Sequence, residues 1–415
     1  MPSPRDPRVT SSDARHLPPP SADEQACSAA LAEDIRAEIN RRGGAIDFSR
    51  FMELALYAPG LGYYSGGQQK FGATGDFITA PELGSLFARC LAQSCRQALA
   101  AVGGGDILEA GAGTGALAAD LLLALETLDS RPRRYLILEL SAELRARQAE
   151  TLKQKAPQLL GCVRWLEVLP DKGFRGVVLG NELLDAMPVE RFRVTATGLR
   201  QLQVGWTNNG FADGNEARAA GQGWPVCGFT WRERAADAAI QRRVGPLRLP
   251  EGYTSEIGFH AEAWVRSVAD MLAEGVLLLI DYGFPRAEFY HPQRTAGTLM
   301  CHHRHRAHAD PLILPGLQDI TAHLDFTGIA EAGRASGLDL LGYASQAAFL
   351  LDSGLEGIVA ASNPDDVRAH LALTQQVKKL TLPHEMGELH KAIALGRGLP
   401  GPLAGFGLQD RRTRL

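Results

Sequence analysis

Apolar positions repeat along this chain with two periods, and the change of period marks its organisation. From about residue 26 to 57, Leu31, Ile35 and Ile39, then Phe48, Phe51, Leu54 and Leu56, fall at helical spacing. A loop dense in Gly, Pro and Tyr follows, "YAPGLGYYSGG". After it, "GDFITAPELGSLFARCLAQSCRQAL" begins as loop and predicts an amphipathic helix after Pro81. From residue 106 short apolar runs alternate with helical stretches. "DILEAG" leads to "ALAADLLLAL", "RYLILELS" leads to "AELRARQAETLKQKA", and then "CVRWLEV" and "GVVLGNELLDAMP" read as strands. Strands alternating with helices of this length predict an α/β fold, a largely parallel sheet covered by helices on both faces.

Residues 189–250 break the rhythm. "VERFRV", "LRQLQVGW" and "GFTWRER" predict hairpin strands, with "TNNGF" as a turn, and read as an insertion. The alternation resumes with helix "HAEAWVRSVADMLAEG", strand "VLLLIDYG", helix "FTGIAEAGRASG" and strand "LDLLGYAS". A second, helical insertion covers about 346–380. The last strand, "GELHKAIALG", is expected at a sheet edge, antiparallel to its neighbour. The division is therefore a disordered tail over 1–25, a helical lead over 26–100, and an α/β core over 101–415 carrying the two insertions.

Composition narrows the classes. Of 415 residues, 45% are hydrophobic and 22% charged, as in an ordinary globular protein. A net charge of -4 gives no global case for nucleic acid. No apolar run approaches the ~20 residues of a membrane helix, so no membrane insertion is expected. The six cysteines are scattered without a CxxC pair, which predicts reduced thiols in a cytoplasm-like compartment. Residues 1–25 lack an apolar stretch and carry Asp6, Asp13, Asp23 and Glu24. Neither a secretory nor a mitochondrial leader is expected, and the location expected is cytoplasmic.

The chemistry starts at "DILEAGAGTGALAADLL". A glycine loop between a strand and a helix leaves bare backbone and unpartnered N–H groups facing a ligand. Gly111, Gly113 and Ala116 formally meet a dinucleotide spacing, so the loop alone does not choose the ligand. Glu109, at the strand's carboxyl end, would oppose a pyrophosphate and suit an ammonium and a sulfonium, as carried by S-adenosyl-L-methionine. Charges 4 Å apart interact by about 4 kcal/mol at an intermediate dielectric, enough to decide. Glu139 closes the second strand, where an acid accepts ribose hydroxyls. Asn181, Glu182 and Asp185 follow the next strand, and Glu182 is placed to clamp a cationic substrate group.

"GDFITAPELGSLFA", "EAGAGTGALAADLL", "GNELLDAMPVERF", "EIGFHAEAWV", "LLIDYGFPRAEFYHPQRTAGTLMCHHRHRAHADPLILPGLQDITAHLDF" and "MGELHKAIALG" stand in one order. In that order they resemble the MidA-like methyltransferases, relatives of a mitochondrial complex I assembly factor, over about residues 26–400. The resemblance implies a Rossmann-like class I methyltransferase fold, with a mostly parallel seven-stranded sheet. It also implies S-adenosyl-L-methionine as methyl donor, S-adenosyl-L-homocysteine as product, and symmetric dimethylation of a protein arginine. The partner implied is a complex I subunit or similar protein; a homodimer stays open. Carried over residue by residue, Gly111, Gly113 and Gly115 match the cofactor loop and Glu139 the ribose acid. Gly75, Asp76, Phe77, Thr79, Pro81 and Glu82 match a block expected to close over the donor's methionine end, and Asn181, Glu182 and Asp185 match the post-strand block. Ala112 departs from the proline common in eukaryotic relatives, and a small residue suffices there.

Carboxylates can fix a guanidinium's plane, localise its charge and take its proton. The catalytic candidates are Glu182 first, then Glu256 and Asp325, with His323 as a proton acceptor or a structural histidine. "CHHRHRAHAD" offers Cys301, His302, His303, His305 and His308, but Arg304 and Arg306 oppose a cation, so no metal is expected and a solvated or partner-facing loop is. Tyr63 and Tyr64 either line a substrate entrance or pack a turn. Other readings are a donor-binding assembly chaperone without catalysis, a dinucleotide oxidoreductase, and a methyltransferase with a small-molecule or nucleic-acid acceptor. The lack of an Asn-Pro-Pro-Tyr type block at "GNELLDA" weighs against nucleobases.

Overall fold

Runs such as "VVLG" and "VLLLI" are apolar at every position because both faces of the strands they form are covered. The computed structural model describes residues 17–66, 79–207 and 228–415. The chain divides into two compact units, one from residues 78–185, 262–286 and 324–415, the other from 1–77, 186–261 and 287–323.

The first unit carries the site, and its elements are numbered here. Its strands are β1 (Asp106–Ala110), β2 (Tyr135–Leu138), β3 (Val163–Leu166), β4 (Phe174–Asn181), β5 (Leu272–Phe284), β6 (Asp339–Ser345) and β7 (His390–Arg397). Their order in the sheet is β6-β7-β5-β4-β1-β2-β3, and a two-residue strand, Leu324–Asp325, adds to the end of β5. β1 through β5 run parallel, and β7 is antiparallel to both neighbours. This is the mostly parallel sheet of a class I methyltransferase fold. Three helices follow from the sequence pattern: α1 (Leu86–Ala101), α2 (Ala116–Thr127) and α3 (Ala142–Lys155). α2 is apolar almost all round, and its Leu117, Leu121, Leu122 and Leu125 join the core with Val177, Leu179 and Leu278. Each such side chain contributes about 2 kcal/mol by leaving water.

Register fixes where ligands can bind. Ala110 pairs with Leu138 on one side and Gly180 on the other, so β1, β2 and β4 end in one row. The chain order reverses between β1 and β4, which opens a crevice beyond those ends. Gly111, Glu139 and Asn181 are the next residues along that row.

Three expectations change. β7 is internal, between β5 and β6, rather than at an edge; Ala392–Leu395 are apolar without alternation because both faces are buried. Order reaches back into the expected 1–25 tail, since Ser21 caps Ala22–Arg41 in a reciprocal box with Glu24, and Leu17 packs on Ile313, Leu314 and Leu317. The core expected over 101–415 also divides, because 186–261 and 287–323 fold with the N-terminal lead. In that second unit, strands Glu190–Thr195, Gly198–Trp206 and Phe229–Ala235 form as expected. They join Ala45–Asp47 and Thr254–Ile257 in a five-stranded antiparallel sheet. Most of the "TNNGF" turn lies outside the described residues. The helical insertion forms as Gln346–Asp352, Leu355–Ala360 and Val367–Thr381.

Candidate active site

Gly111, Gly113 and Gly115 all hold positive φ, at 70°, 52° and 84°, so the loop from β1 into α2 depends on their lack of a side chain. Space demands it too. A Cβ on Gly115 would lie 2.9 Å from Gln148 Cα. The loop is tied laterally by the Thr114 hydroxyl, which donates to Glu82 in the short turn Ala80–Leu83. Thr79 begins that turn, and its carbonyl accepts the Glu82 N–H at 3.0 Å. Gly75 and Asp76 lie outside the described residues.

Glu109 does not stand at the mouth of the crevice. It is buried on β1 and accepts a 2.6 Å hydrogen bond from the Tyr135 hydroxyl of β2. Two residues short of the loop, its side chain enters a sheet face instead of projecting past the strand ends. Burial pushes its carboxyl up to about 7, against the pull of the tyrosine. Glu109 therefore meets Tyr135 inside the sheet rather than a ligand beyond the strand ends.

Glu139 does stand past the end of β2. Ser141 N–H donates to its Oε1 at 2.9 Å and the Gln148 amide to its Oε2 at 3.0 Å. Burial raises its pKa while these donors pull it down. A carboxylate has about four acceptor positions, so capacity remains for a ribose diol. The bare loop backbone and this acid fit S-adenosyl-L-methionine.

Beyond β4 the chain is drawn tight. Glu182 is a non-glycine residue in the left-handed region, at φ 46°, a conformation held only by its surroundings. Asp281, buried at the end of β5, supplies them. Its Oδ2 accepts the N–H groups of Leu183, Leu184 and Asp185 at 3.2, 2.9 and 3.3 Å, and its Oδ1 that of Tyr282 at 2.8 Å. The Glu182 carboxylate accepts from Ala80 N–H at 3.3 Å and from the Asn181 amide at 3.2 Å. His390 Nε2, fully buried, lies 3.8 Å from the same oxygen, and its ring sits against Tyr282. Burial first, then Glu182, Asp185 and Asp281, hold the Tyr282 hydroxyl far above its ordinary pKa. The arrangement gathers acidic groups around one segment, and burial pushes the Asp281 carboxyl up to about 7. Asp281, Tyr282, His390 and Gln148 were not read from the sequence. For Asp281 and Tyr282 there was a signal, their place at the end of "LLLIDYG", next to β4.

The other candidates have partners of their own. Asp325 caps Phe326–Ala335 through Gly328 N–H at 3.2 Å and pairs with Arg286 at 2.8 Å, which also holds Glu331. In the second unit, Glu256 accepts the Thr298 N–H at 2.9 Å and lies 3.5 Å from Arg191 Nε, while burial raises its pKa. The Thr298 hydroxyl accepts the backbone N–H of His323 at 3.1 Å, which brings Glu256 and the His323 backbone to one residue. Tyr63 is buried and Tyr64 donates to Asp319 at 2.9 Å, as turn-packing residues do.

The histidine-rich run is a hairpin of Met300–His303 and Arg306–His308. Its tip is not free, because Arg304 binds Glu24 at 2.7 Å and the Pro19 carbonyl at 3.0 Å. His308 is pushed down to about 4 by burial and by neighbouring His303 and His302. Among the described residues no group of three or more His, Cys, Asp or Glu is placed to hold a metal, and no helix is long and apolar enough to cross a membrane.

Comparison with known proteins identifies the family. A family model described as S-adenosyl-L-methionine-dependent methyltransferase matches residues 86–344. A Burkholderia thailandensis protein solved bound to S-adenosyl-homocysteine superposes with a TM-score of 0.89 at 49% identity, over 96% of this chain and all of that one. The mitochondrial protein arginine methyltransferase NDUFAF7 of Danio rerio is 27% identical over 83% of this chain and 82% of its own length. The Homo sapiens protein of that name is 28% identical over 85% and 80%.

Proposed function

From a chain that belongs to the MidA-like class I family of S-adenosyl-L-methionine-dependent methyltransferases, we infer an enzyme that methylates arginine in a protein partner. The product we propose is symmetric dimethylarginine, made in the cytoplasm on a complex I subunit or a protein like it. The observation that carries this reading is the Glu182 carboxylate, pinned past the end of β4 among other acids. The names of the curated relatives support the arginine acceptor.

The chain's residues divide the work. Gly111, Gly113, Gly115, Glu139 and Asn181 hold the donor, with Thr79 and its turn beside the loop. Bound S-adenosyl-L-methionine supplies an electrophilic methyl on a sulfonium. Glu182 then receives a guanidinium, fixes its plane and accepts the proton lost from the attacking nitrogen. Such an ion pair at 4 Å contributes about 4 kcal/mol at an effective dielectric of about 20, enough to prefer a cation over a neutral acceptor. Asp281 keeps the segment from relaxing, so the carboxylate is in place before the acceptor arrives. Glu256, His323 and Asp325 we assign to support of the fold.

The test is methyl transfer by Glu182→Gln. Transfer should be lost while S-adenosyl-homocysteine still binds, and unimpaired transfer removes Glu182 from the mechanism.

A further inference from the structure

One buried amide touches both of the loops assigned to the donor. Gln148 lies in the middle of α3 and is fully buried. Its Nε2 donates to Glu139 Oε2 at 3.0 Å and to the Gly113 carbonyl at 3.1 Å, and its Oε1 accepts the Trp165 indole N–H at 2.9 Å. An indole N–H can only donate, so the amide oxygen must face Trp165 and the nitrogen must face the two acceptors. Chemistry therefore fixes which way this amide is turned. Both N–H groups are engaged, and the oxygen accepts from the indole. The backbone is equally committed, because Gly115 approaches Gln148 too closely for any side chain.

Glu139 and Gly113 come from different loops, after β2 and after β1. Without Gln148, the Glu139 carboxylate keeps its Ser141 partner but loses the donor that turns its second oxygen, and the Gly113 carbonyl loses its side-chain donor. We propose that Gln148 is the positioning residue of the ribose end of the donor site. It touches no ligand. It sets the orientation of the acid and of the adjoining loop peptide, through an amide that Trp165 holds in one orientation. The proposal rests on the reading of Glu139 as the ribose acid, and its test separates the two.

Titration calorimetry is run on the full chain with S-adenosyl-homocysteine and with the 2′,3′-dideoxy analogue of that compound. Gln148→Met keeps the volume and removes the amide. It should weaken S-adenosyl-homocysteine about 10-fold, the worth of a hydrogen bond to a charged group, and the dideoxy analogue less than about 2-fold. Equal weakening of both ligands means a general structural role and overturns the proposal, as does no weakening of either. Trp165→Phe frees the amide to rotate and should give a smaller loss, again confined to the ligand with ribose hydroxyls. Should Gln148→Met fail to fold, that second variant decides, and an unselective loss or no loss overturns the proposal. Glu139→Gln provides the separate check. If it weakens both ligands alike, the ribose reading itself fails; if it discriminates and Gln148→Met does not, only the positioning role fails.

Discussion

Glu182 and Glu256 are two acids with little exposure, in different units of the chain. Glu256 is met by the chain's own cation, Arg191, and by Thr298, so a guanidinium already stands against it. Glu182 is met by a backbone N–H, an amide and, at 3.8 Å, the buried His390 ring, with the Asp281 carboxyl close by, and among the described residues no Arg or Lys pairs with it. Its backbone is also held in a conformation that L-residues avoid. Burial is common to both acids and teaches nothing about function. What separates them is whether the fold has already answered the charge, and whether it spends conformational strain to place it.

That contrast can be broken by measurement. Glu182→Gln should reduce methyl transfer by about 100-fold or more, the scale of a lost acid–base group, and change S-adenosyl-homocysteine affinity little. Radiolabel transfer and calorimetry read the two effects. Asp281→Asn puts an amide where four N–H groups need acceptors. It should cost about 3 kcal/mol of stability in urea denaturation and lower the transfer rate as Glu182 loses its support. Glu256→Gln should cost about 3 kcal/mol by leaving Arg191 buried without its counter-charge, yet keep transfer. Loss of transfer at unchanged stability would reverse the roles of the two acids.

The last prediction concerns Glu109 and leaves methyl transfer aside. Its folded carboxyl titrates at about 7 and its ordinary value is 4.5, so between those values the folded chain binds the extra proton. Its contribution to stability is fully present below 4.5, falls as pH rises to about 7, and is flat above. The slope is at most about 1.4 kcal/mol per pH unit, and Glu109→Gln should remove it from a plot of unfolding free energy against pH. An unchanged slope would mean that the buried carboxyl is already ionised.

Local features of the fold and site were legible, and features joined across the chain were not. The alternation from residue 106 onward predicts β1 to β5 because buried parallel strands must be continuously apolar. The glycine loop, Glu139 and Glu182 each follow a strand immediately and Asn181 ends one, so strand ends found them. Glu109 was found too, but its direction was not, since one pleat decides whether a side chain enters the sheet face or passes its end. Asp281 acts on an N–H 97 residues away, and Gln148 on a carbonyl 35 residues away. No local pattern distinguishes either from an ordinary strand acid or helix amide. β7 looked like an edge strand because it comes last in the chain, whereas sheet position depends on which strand leaves a gap.

The account stands on arginine methylation supported by Glu182. The direct measurement is transfer of a labelled methyl group from S-adenosyl-L-methionine to proteins of a lysate, by the native chain and by Glu182→Gln, followed by amino-acid analysis of the labelled product. Label in symmetric dimethylarginine with the native chain, absent with the variant, is the predicted result. Label in another residue or in a small molecule, or equal labelling by the variant, would contradict it.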